Sequence, residues 1–508
     1  MYKVKFIGVL SYLSYQFSVV ALILFSVTGN AQSDLKKETD QSPTIAKDDY
    51  NILWIVADDL GTDIRSYGTN IYTPNLDRLA SESVVYKNMF TTAAVCSASR
   101  SGIITGMYPV SINAHQHRTS YKKELPDSIK PITEYFRKAG YFVTNGNGNP
   151  EARKAKTDYN FKHTSEMFDG GHWRQRPDNT KFFSQIQIFF PHRPFHRDSI
   201  HPVDPDKVKI PPYYPDHPLI RKDWAMYLET VQLADRQVGE VLDQLEKDDL
   251  LDKTIIFFFG DQGRPHARAK QFLYDSGTNT PLMVRWPEGK AAGTVSKELV
   301  SNIDIPFSTL KLAGIEPPSY MQGQDFIRNE NKRDYVFTMR DRRDETVDRI
   351  RAVRSKRFKY IRNYYPERPY TQSNVYKEMR YPALPLLRVL NKQGKLTEQQ
   401  QKFISDARPE EEFYDLVKDP YEMDNLAEVE AYQKELQKYK EILNKWVKNY
   451  DLGSYPEAPA EIKAASEEAL KRRSRMLKER GLPNDYTDEQ MVNYWLKELK
   501  VEENETSQ

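Results

Sequence analysis

Asn51-Ile52-Leu53-Trp54-Ile55-Val56-Ala57-Asp58-Asp59-Leu60-Gly61 runs from an apolar segment straight into two adjacent carboxylates. An apolar run without polar alternation predicts a strand covered on both faces, as in a parallel sheet between helix layers. The pattern recurs twice. Thr254–Phe259 (TIIFFF) ends in Gly260-Asp261-Gln262-Gly263, and Phe182–Phe190 (FFSQIQIFF) ends in Pro191-His192. Amphipathic helical stretches lie between them, at Asn75–Ser83, Ile132–Ala139 and Trp224–Lys247. This alternation predicts an α/β fold with a mostly parallel central sheet flanked by helices. Such sheets bind ligands beyond the carboxyl ends of their strands. Asp58, Asp59, Asp261, Gln262 and His192, far apart in sequence, are therefore predicted to converge.

The character of the chain changes near residue 335. Ile350–Arg362 alternates like an antiparallel strand pair turning at Ser355-Lys356, and charged helical stretches follow from Val429 to Leu499. A smaller C-terminal α+β subdomain with a short antiparallel sheet is expected over 336–508, after a catalytic domain over 49–335. A chain of 508 residues is too long for one ordinary core. A net charge of +2 excludes a dedicated nucleic-acid binder.

The first residues read as a targeting segment. Met1-Tyr2-Lys3-Val4-Lys5 is basic, Phe17–Val27 is apolar, and small residues end at Ala31. A signal peptide over 1–31 is expected, followed by a flexible lead-in over 32–48 and an exported, periplasmic or secreted, mature chain. The apolar run is too short to span a bilayer comfortably, so no membrane insertion of the mature chain is expected.

Cys96 is the only cysteine of the chain and lies in Cys96-Ser97-Ala98-Ser99-Arg100. A lone cysteine is usually a small buried hydrophobe, but here it sits among small and polar residues beside a fixed positive charge. The run resembles the Cys-x-Pro/Ala-x-Arg signature of the formylglycine-dependent sulfatases, and the resemblance continues through Ser101-Gly102-Ile103-Ile104-Thr105-Gly106-Met107-Tyr108-Pro109. Asn51–Gly61 resembles the family's opening metal motif. Gly260-Asp261-Gln262-Gly263 resembles the second, with Gln262 where Asn or His is usual. Lys270–Gly277 with Thr280–Pro287, and Glu412–Ala427, resemble later blocks in the same order.

The resemblance implies oxidation of Cys96 to formylglycine by a maturation enzyme. It implies a divalent cation held by Asp58, Asp59, Cys96, Asp261 and Gln262, calcium in preference to magnesium, because three carboxylates and an amide oxygen are hard ligands. It further implies that Arg100 fixes the nucleophile, that His192 is the general acid, and that Lys270 contacts the sulfate. His115 and His117 resemble a histidine near the nucleophile in sulfamidase-like members; one of the pair is expected on the sulfate or the sugar, with His115 favoured. His196 is read either as a substrate contact or as loop packing.

The family's Gly-Lys-x-His element is missing after Ala139–Thr144; Asn147, Asn149 and Lys154 are the candidates to replace it. Arg193, Arg197, Arg264 and Arg268 read either as a basic mouth or as ordinary surface. The implied activity is hydrolysis of sulfate esters on a sulfated glycan, such as ulvan or a glycosaminoglycan. The alternatives are a phosphodiesterase or phosphonate hydrolase of the same superfamily, a sulfamidase, and an inactive glycan-binding relative.

Overall fold

Strand Asn51–Ala57 is hydrogen-bonded on both sides and buried along its whole length. Its alternate residues feed two separate cores. Leu53, Ile55 and Ala57 join one, and Ile52, Trp54 and Val56 join the other. Burial on both faces is the physical reason the run carries no polar alternation. The computed structural model describes residues 50–151, 155–328 and 332–501, with the backbone of Lys37–Glu38. The expected signal peptide lies outside the described residues, as does the lead-in apart from that two-residue strand.

The large sheet comprises β1 (Lys37–Glu38), β2 (Asn51–Ala57), β3 (Ser83–Phe90), β4 (Phe142–Gly146), β5 (Phe182–Ile188), β6 (Thr254–Gly260), β7 (Asn279–Arg285) and β8 (Thr294–Ser301). Their spatial order is β1-β8-β3-β7-β6-β2-β5-β4. Every pairing is parallel except those of β7, which runs antiparallel to both β3 and β6. The mostly parallel sheet expected from the sequence is what forms.

Helices α1 (Pro74–Ser81) and α4 (Pro218–Lys247) pack in the first core, whereas α2 (Cys96–Thr105), α3 (Ile132–Lys138) and α6 (Asp304–Leu312) contribute to the second. The single-turn α5 (Asp275–Thr278) precedes β7. The second sheet is antiparallel, in the order β12 (Glu411–Asp415), β11 (Phe358–Asn363), β10 (Ile350–Arg354), β9 (Val336–Arg340). Beyond β11, α7 (Val375–Arg380) joins the first core.

A third core couples this small sheet to the start of α2. Ala93, Val95 and Ala98 pack with Met339, Val353, Phe413 and Trp446. The Met339 amide donates to the Thr92 carbonyl at 2.8 Å, so the small sheet braces the loop that leads into Cys96. Among the described residues no helix is long and apolar enough to cross a membrane.

Candidate active site

Strand ends assemble the cluster. β2 delivers Asp58 and Asp59, β6 delivers Asp261 and Gln262, and α2 begins at Cys96. The turn after β2 is tight. Asp59 holds a φ of 61°, rare for a residue with a Cβ and typical of functional sites. Its amide donates to Asp261 Oδ1 at 3.0 Å, which ties the two strand ends together. Gly263 permits the close approach on the other side, where a Cβ would stand 2.3 Å from the Ser276 carbonyl oxygen.

Cys96, Asp58, Asp59, Asp261, Gln262 and Lys270 are at most 1% exposed. Lys270 Nζ lies 2.7 and 2.8 Å from the two Asp59 carboxylate oxygens and 3.3 Å from Cys96 Sγ. Gln262 Nε2 donates to Asp59 Oδ1 and stands 3.3 Å from Cys96 Sγ. Arg100 donates through Nε to Asp261 Oδ2 at 2.8 Å and reaches Asp58 Oδ1 at 3.4 Å and Gln187 Oε1 at 2.6 Å. Its planar fork thereby fixes three partners at once, which a lysine could not do. His192 Nε2 faces Asp59 Oδ2 at 3.8 Å, and its Nδ1 lies 2.5 Å from the Arg193 carbonyl oxygen.

The charges are finely balanced. Burial opposes ionisation of Asp58, but Lys156, Arg100 and His192 outweigh it and hold the carboxyl well below its ordinary range. Burial opposes ionisation of Asp59 too, and Lys270 and His192 bring it down. At Asp261 burial wins over Arg100, with Asp58 adding repulsion, and the carboxyl is pushed up to about 7. Burial likewise raises the Cys96 thiol, with Lys156 and Lys270 pulling down against Asp58 and Asp59. An unmodified Cys96 is thus a thiol and not an activated thiolate.

The donor set suits a hard divalent cation. Ligand atoms of Asp58, Cys96 and Asp261 lie within 4.8 Å of one another. Among the described residues Gln262 Oε1 is buried without a hydrogen-bond partner, a costly state for an amide oxygen unless a ligand satisfies it. Sγ here stands in for the oxygen that a modified Cys96 would present.

Lys156 enters from a segment with no sequence signal. Its Nζ lies 2.6 Å from Asp58 Oδ2, and its side chain is 24% exposed, so it sits at the rim. Burial opposes its charge, but Asp58, Cys96 and Asp158 together outweigh burial and raise it above its ordinary value. It brings a cation to the cluster where the Gly-Lys-x-His lysine is missing. Asn147 and Asn149 do not serve, because their side-chain oxygens accept local amides two residues on, in exposed turns. Lys154 lies outside the described residues. Asn145, the first residue after Thr144, supports Arg100 at one remove by accepting from Gln187 Nε2 at 2.8 Å.

The preference for His115 over His117 is corrected by the structure. The His115 ring packs against Tyr455, its nitrogens have no hydrogen-bond partner, and a Cβ on Gly453 would meet it at 2.7 Å. Burial pushes it down to about 3, and the charges that act on it are Arg351, Asp451, Lys123 and Arg342, none of them in the cluster. His117 is the one beside the nucleophile helix, with Nδ1 2.9 Å from Ser97 Oγ. His196 is exposed, and its backbone is fastened to the Thr230 hydroxyl at 2.8 Å.

The basic mouth is corrected as well. Arg193 is buried in a bidentate pair with Asp223, and Arg268 is buried against the carbonyls of Tyr421 and Glu422. Arg197 pairs with Glu229 at 2.6 Å. Arg264 lines a separate cavity of about 960 Å³, together with Tyr72, His201 and Tyr421, that none of the cluster residues line.

A mostly parallel sheet between helix layers, with an acidic, cation-ready cluster at its carboxyl edge, defines a hydrolase of the alkaline-phosphatase-like fold. Within that class the chain belongs to the sulfatase family: residues 50–315 match the sulfatase family model. Residues 266–383 match the model for the C-terminal part of N-sulphoglucosamine sulphohydrolase. An ulvan-active sulfatase of Formosa agariphila is 38% identical over 453 residues, covering 78% of this chain and 74% of the relative. A solved structure in complex with its substrate D-glucosamine-2-N,6-O-disulfate superposes with a TM-score of 0.58 at 19% identity, covering 79% of this chain and 98% of the other. The phosphonate monoester hydrolase of Agrobacterium radiobacter superposes with a TM-score of 0.59 at 16% identity, covering 79% and 96%. At such identities the superpositions establish the fold alone.

Proposed function

We propose that this sulfatase hydrolyses sulfate esters on a sulfated polysaccharide or its oligosaccharides, using formylglycine made from Cys96 by a maturation enzyme. The observation that carries the reading is Cys96 at the first turn of α2, with the Lys270 ammonium and the Gln262 amide both 3.3 Å from Sγ. A helix N-terminus and two donors around one side chain favour an anion there. The relative's action on ulvan, at 38% identity, supports a polysaccharide substrate.

When in place, the hydrated aldehyde would supply the nucleophilic oxygen, and a divalent cation, calcium in preference to magnesium, would supply charge for the sulfate oxygens. Asp58, Asp59, Asp261 and Gln262 would hold the cation. Arg100 orients Asp58 and Asp261. Lys270 and Lys156 draw the sulfate in and offset its charge. His192 keeps Nδ1 on the Arg193 carbonyl, so Nε2 is the atom that gives its proton to the leaving alcohol. Burial lowers the imidazole, with Asp59 pulling it up and Lys270 down. A bound sulfate favours the protonated ring that this role requires. The basic, then apolar, then small-residue pattern of residues 1–31 supports export.

Hydrolysis of an N-sulfate is a second reading, favoured by the match of residues 266–383 to the N-sulphoglucosamine sulphohydrolase C-terminal model. One experiment tests both. The chain is co-expressed with a formylglycine-generating enzyme; sulfate release is followed on ulvan, glycosaminoglycans, their oligosaccharides and an N-sulfated glucosamine, and phenol release on an aryl phosphonate ester. Release from an O-sulfated glycan is expected. With the aldehyde at Cys96 confirmed by mass, no release from any glycan overturns the reading.

The rim lysine carries its own expectation. Lys156→Ala removes a charge that meets both Asp58 and the incoming sulfate. About a 100-fold fall in kcat/KM is expected. The side chain is partly exposed, so the melting temperature is expected to move little. Activity within threefold of wild type would remove Lys156 from the site.

A further inference from the structure

Among the described residues, three buried polar atoms without hydrogen-bond partners belong to side chains near the cluster: Tyr376 Oη, Arg343 Nε and His117 Nε2. Buried polar groups in folded proteins are nearly always partnered, and the exceptions call for an explanation. These three share one neighbourhood. The Tyr376 ring carries the Arg343 guanidinium at 4.2 Å and the Lys270 ammonium at 5.5 Å, and its centroid is 6.2 Å from that of His192. His117 is bonded through Nδ1 to Ser97, the residue after Cys96, and its amide donates to the Arg342 carbonyl at 3.0 Å. The Tyr376 ring therefore meets both Arg343 and two of the reacting groups, Lys270 and His192.

Arg343 is held in a fixed orientation. Its NH1 donates to Asn374 Oδ1 at 2.9 Å and lies 3.4 Å from Asp344 Oδ2. Asn374 in turn caps α7, accepting the Lys377 amide at 3.2 Å. All of these bonds run through one guanidinium nitrogen. Among the described residues the Nε–NH2 edge makes none, and that edge is the one whose two parallel N–H groups fit a carboxylate or a sulfate. His117 has a matching role. Ser97 Oγ accepts the Arg118 amide at 3.1 Å, leaving its own hydrogen for His117 Nδ1. Burial and the cations around it, Arg118 and Arg343 foremost, push that imidazole well below its ordinary value. A neutral ring accepting at Nδ1 carries its proton on Nε2, as a donor.

Resting on the reading of the site as a glycan sulfatase, we propose that Arg343 and Tyr376, with His117 beside them, form a subsite for a second anionic substituent of the substrate. The Arg343 Nε–NH2 edge and the Tyr376 hydroxyl take its oxygens while Lys270 takes those of the scissile sulfate. With the Arg343 guanidinium 4.2 Å and the Lys270 ammonium 5.5 Å from the same Tyr376 ring, the two anionic groups would lie on one sugar or on adjacent sugars. A uronic carboxylate and a further sulfate offer the same oxyanion chemistry.

The test compares three substrates with the matured enzyme: a mono-sulfated sugar with no other charge, the same sugar joined to a uronic acid, and the same sugar with a second sulfate. Wild type is expected to prefer one of the two doubly charged substrates, and which one identifies the oxyanion. Arg343→Gln is expected to reduce that preference, as a ratio of kcat/KM values, by about 30-fold, mainly through KM, because a charged hydrogen-bonding partner is lost. Arg343→Lys keeps the charge without the fork and is expected to fall between. Tyr376→Phe retains the ring and its packing, and about a fivefold reduction through KM is expected.

Equal loss on all three substrates in Arg343→Gln, or no preference for a second charge in wild type, would overturn the subsite and leave the sulfatase reading intact. Failure of the matured wild type on all three would overturn both.

Discussion

Cys96→Ala protein, co-expressed with the maturation enzyme like the wild type, is expected to fold, to bind its sulfated substrate, and to release no measurable sulfate, a loss of at least about 10⁴ in kcat. The size follows from what the rest of the site can do alone. Lys270, Arg100 and His192 can position and polarise a sulfate ester, but none of them presents a nucleophilic oxygen where Sγ stands. The folding half of the expectation follows from the packing. Cys96 is 1% exposed, and alanine keeps its Cβ, so only one sulfur's worth of contact is lost, about 1 kcal/mol. The thiol makes only long contacts, 3.3 Å or more, with Lys270, Gln262 and Asp59, and both donors keep Asp59 as a partner without it. Substrate binding measured by calorimetry alongside sulfate release separates the two halves. Residual turnover above about 1% of wild type, well beyond what the remaining donors supply, would remove Cys96 as the source of the nucleophile.

The sequence carried the centre of this site more fully than its rim. Asp58, Asp59, Asp261 and Gln262 were legible because each follows an apolar run that had to be a central strand, and parallel strands present their carboxyl ends to one place. The mostly parallel sheet and the β10–β11 hairpin were legible for the same kind of reason, a periodicity that only one environment explains. Lys156 was not legible. It lies ten residues beyond β4 in an irregular segment, and nothing in local composition tells a rim lysine from a solvated one.

The two histidines 115 and 117 show a related limit. Spacing of two in an irregular loop does not say which ring faces inward, and the answer depends on backbone pairing with Arg342, more than 200 residues away. Arg193 and Arg268 misled in the opposite direction. As charged residues in loops they read either as a basic mouth or as ordinary surface, but each is buried on partners from elsewhere in the chain. Arg343 and Tyr376 lie between the motif blocks that carry the family resemblance, so only the three-dimensional arrangement, with its nitrogen and hydroxyl unpartnered among the described residues, brings them to notice.

Removing the divalent cation with a chelator is expected to cost at least about 100-fold in kcat/KM and to lower the melting temperature, both restored by added calcium. Three buried carboxylates, Asp58, Asp59 and Asp261, face three cations, Arg100, Lys156 and Lys270. The balance is uneven in space. Asp58 and Asp59 are held below the ordinary carboxyl range, whereas Asp261 is raised to about 7 by burial despite Arg100. Asp261 is thus the carboxylate whose burial its cations do not offset, and it adjoins Gln262, whose Oε1 has no partner among the described residues.

A group whose folded pKa lies above its unfolded value of 3.8 keeps its proton while the unfolded chain releases it. The Asp261 contribution to the stability of the cation-free protein therefore falls as pH rises from about 4 to about 7. The cation competes with that proton, so its affinity rises over the same interval. Asp261→Asn removes the charge and keeps the shape. It is expected to weaken calcium binding by at least about 30-fold, from the loss of one carboxylate ligand, and to flatten the pH dependence of the cation-free protein. Melting curves across calcium concentration and pH, on wild type and Asp261→Asn, read all three effects. Equal calcium stabilisation of the two proteins would place the cation away from Asp261.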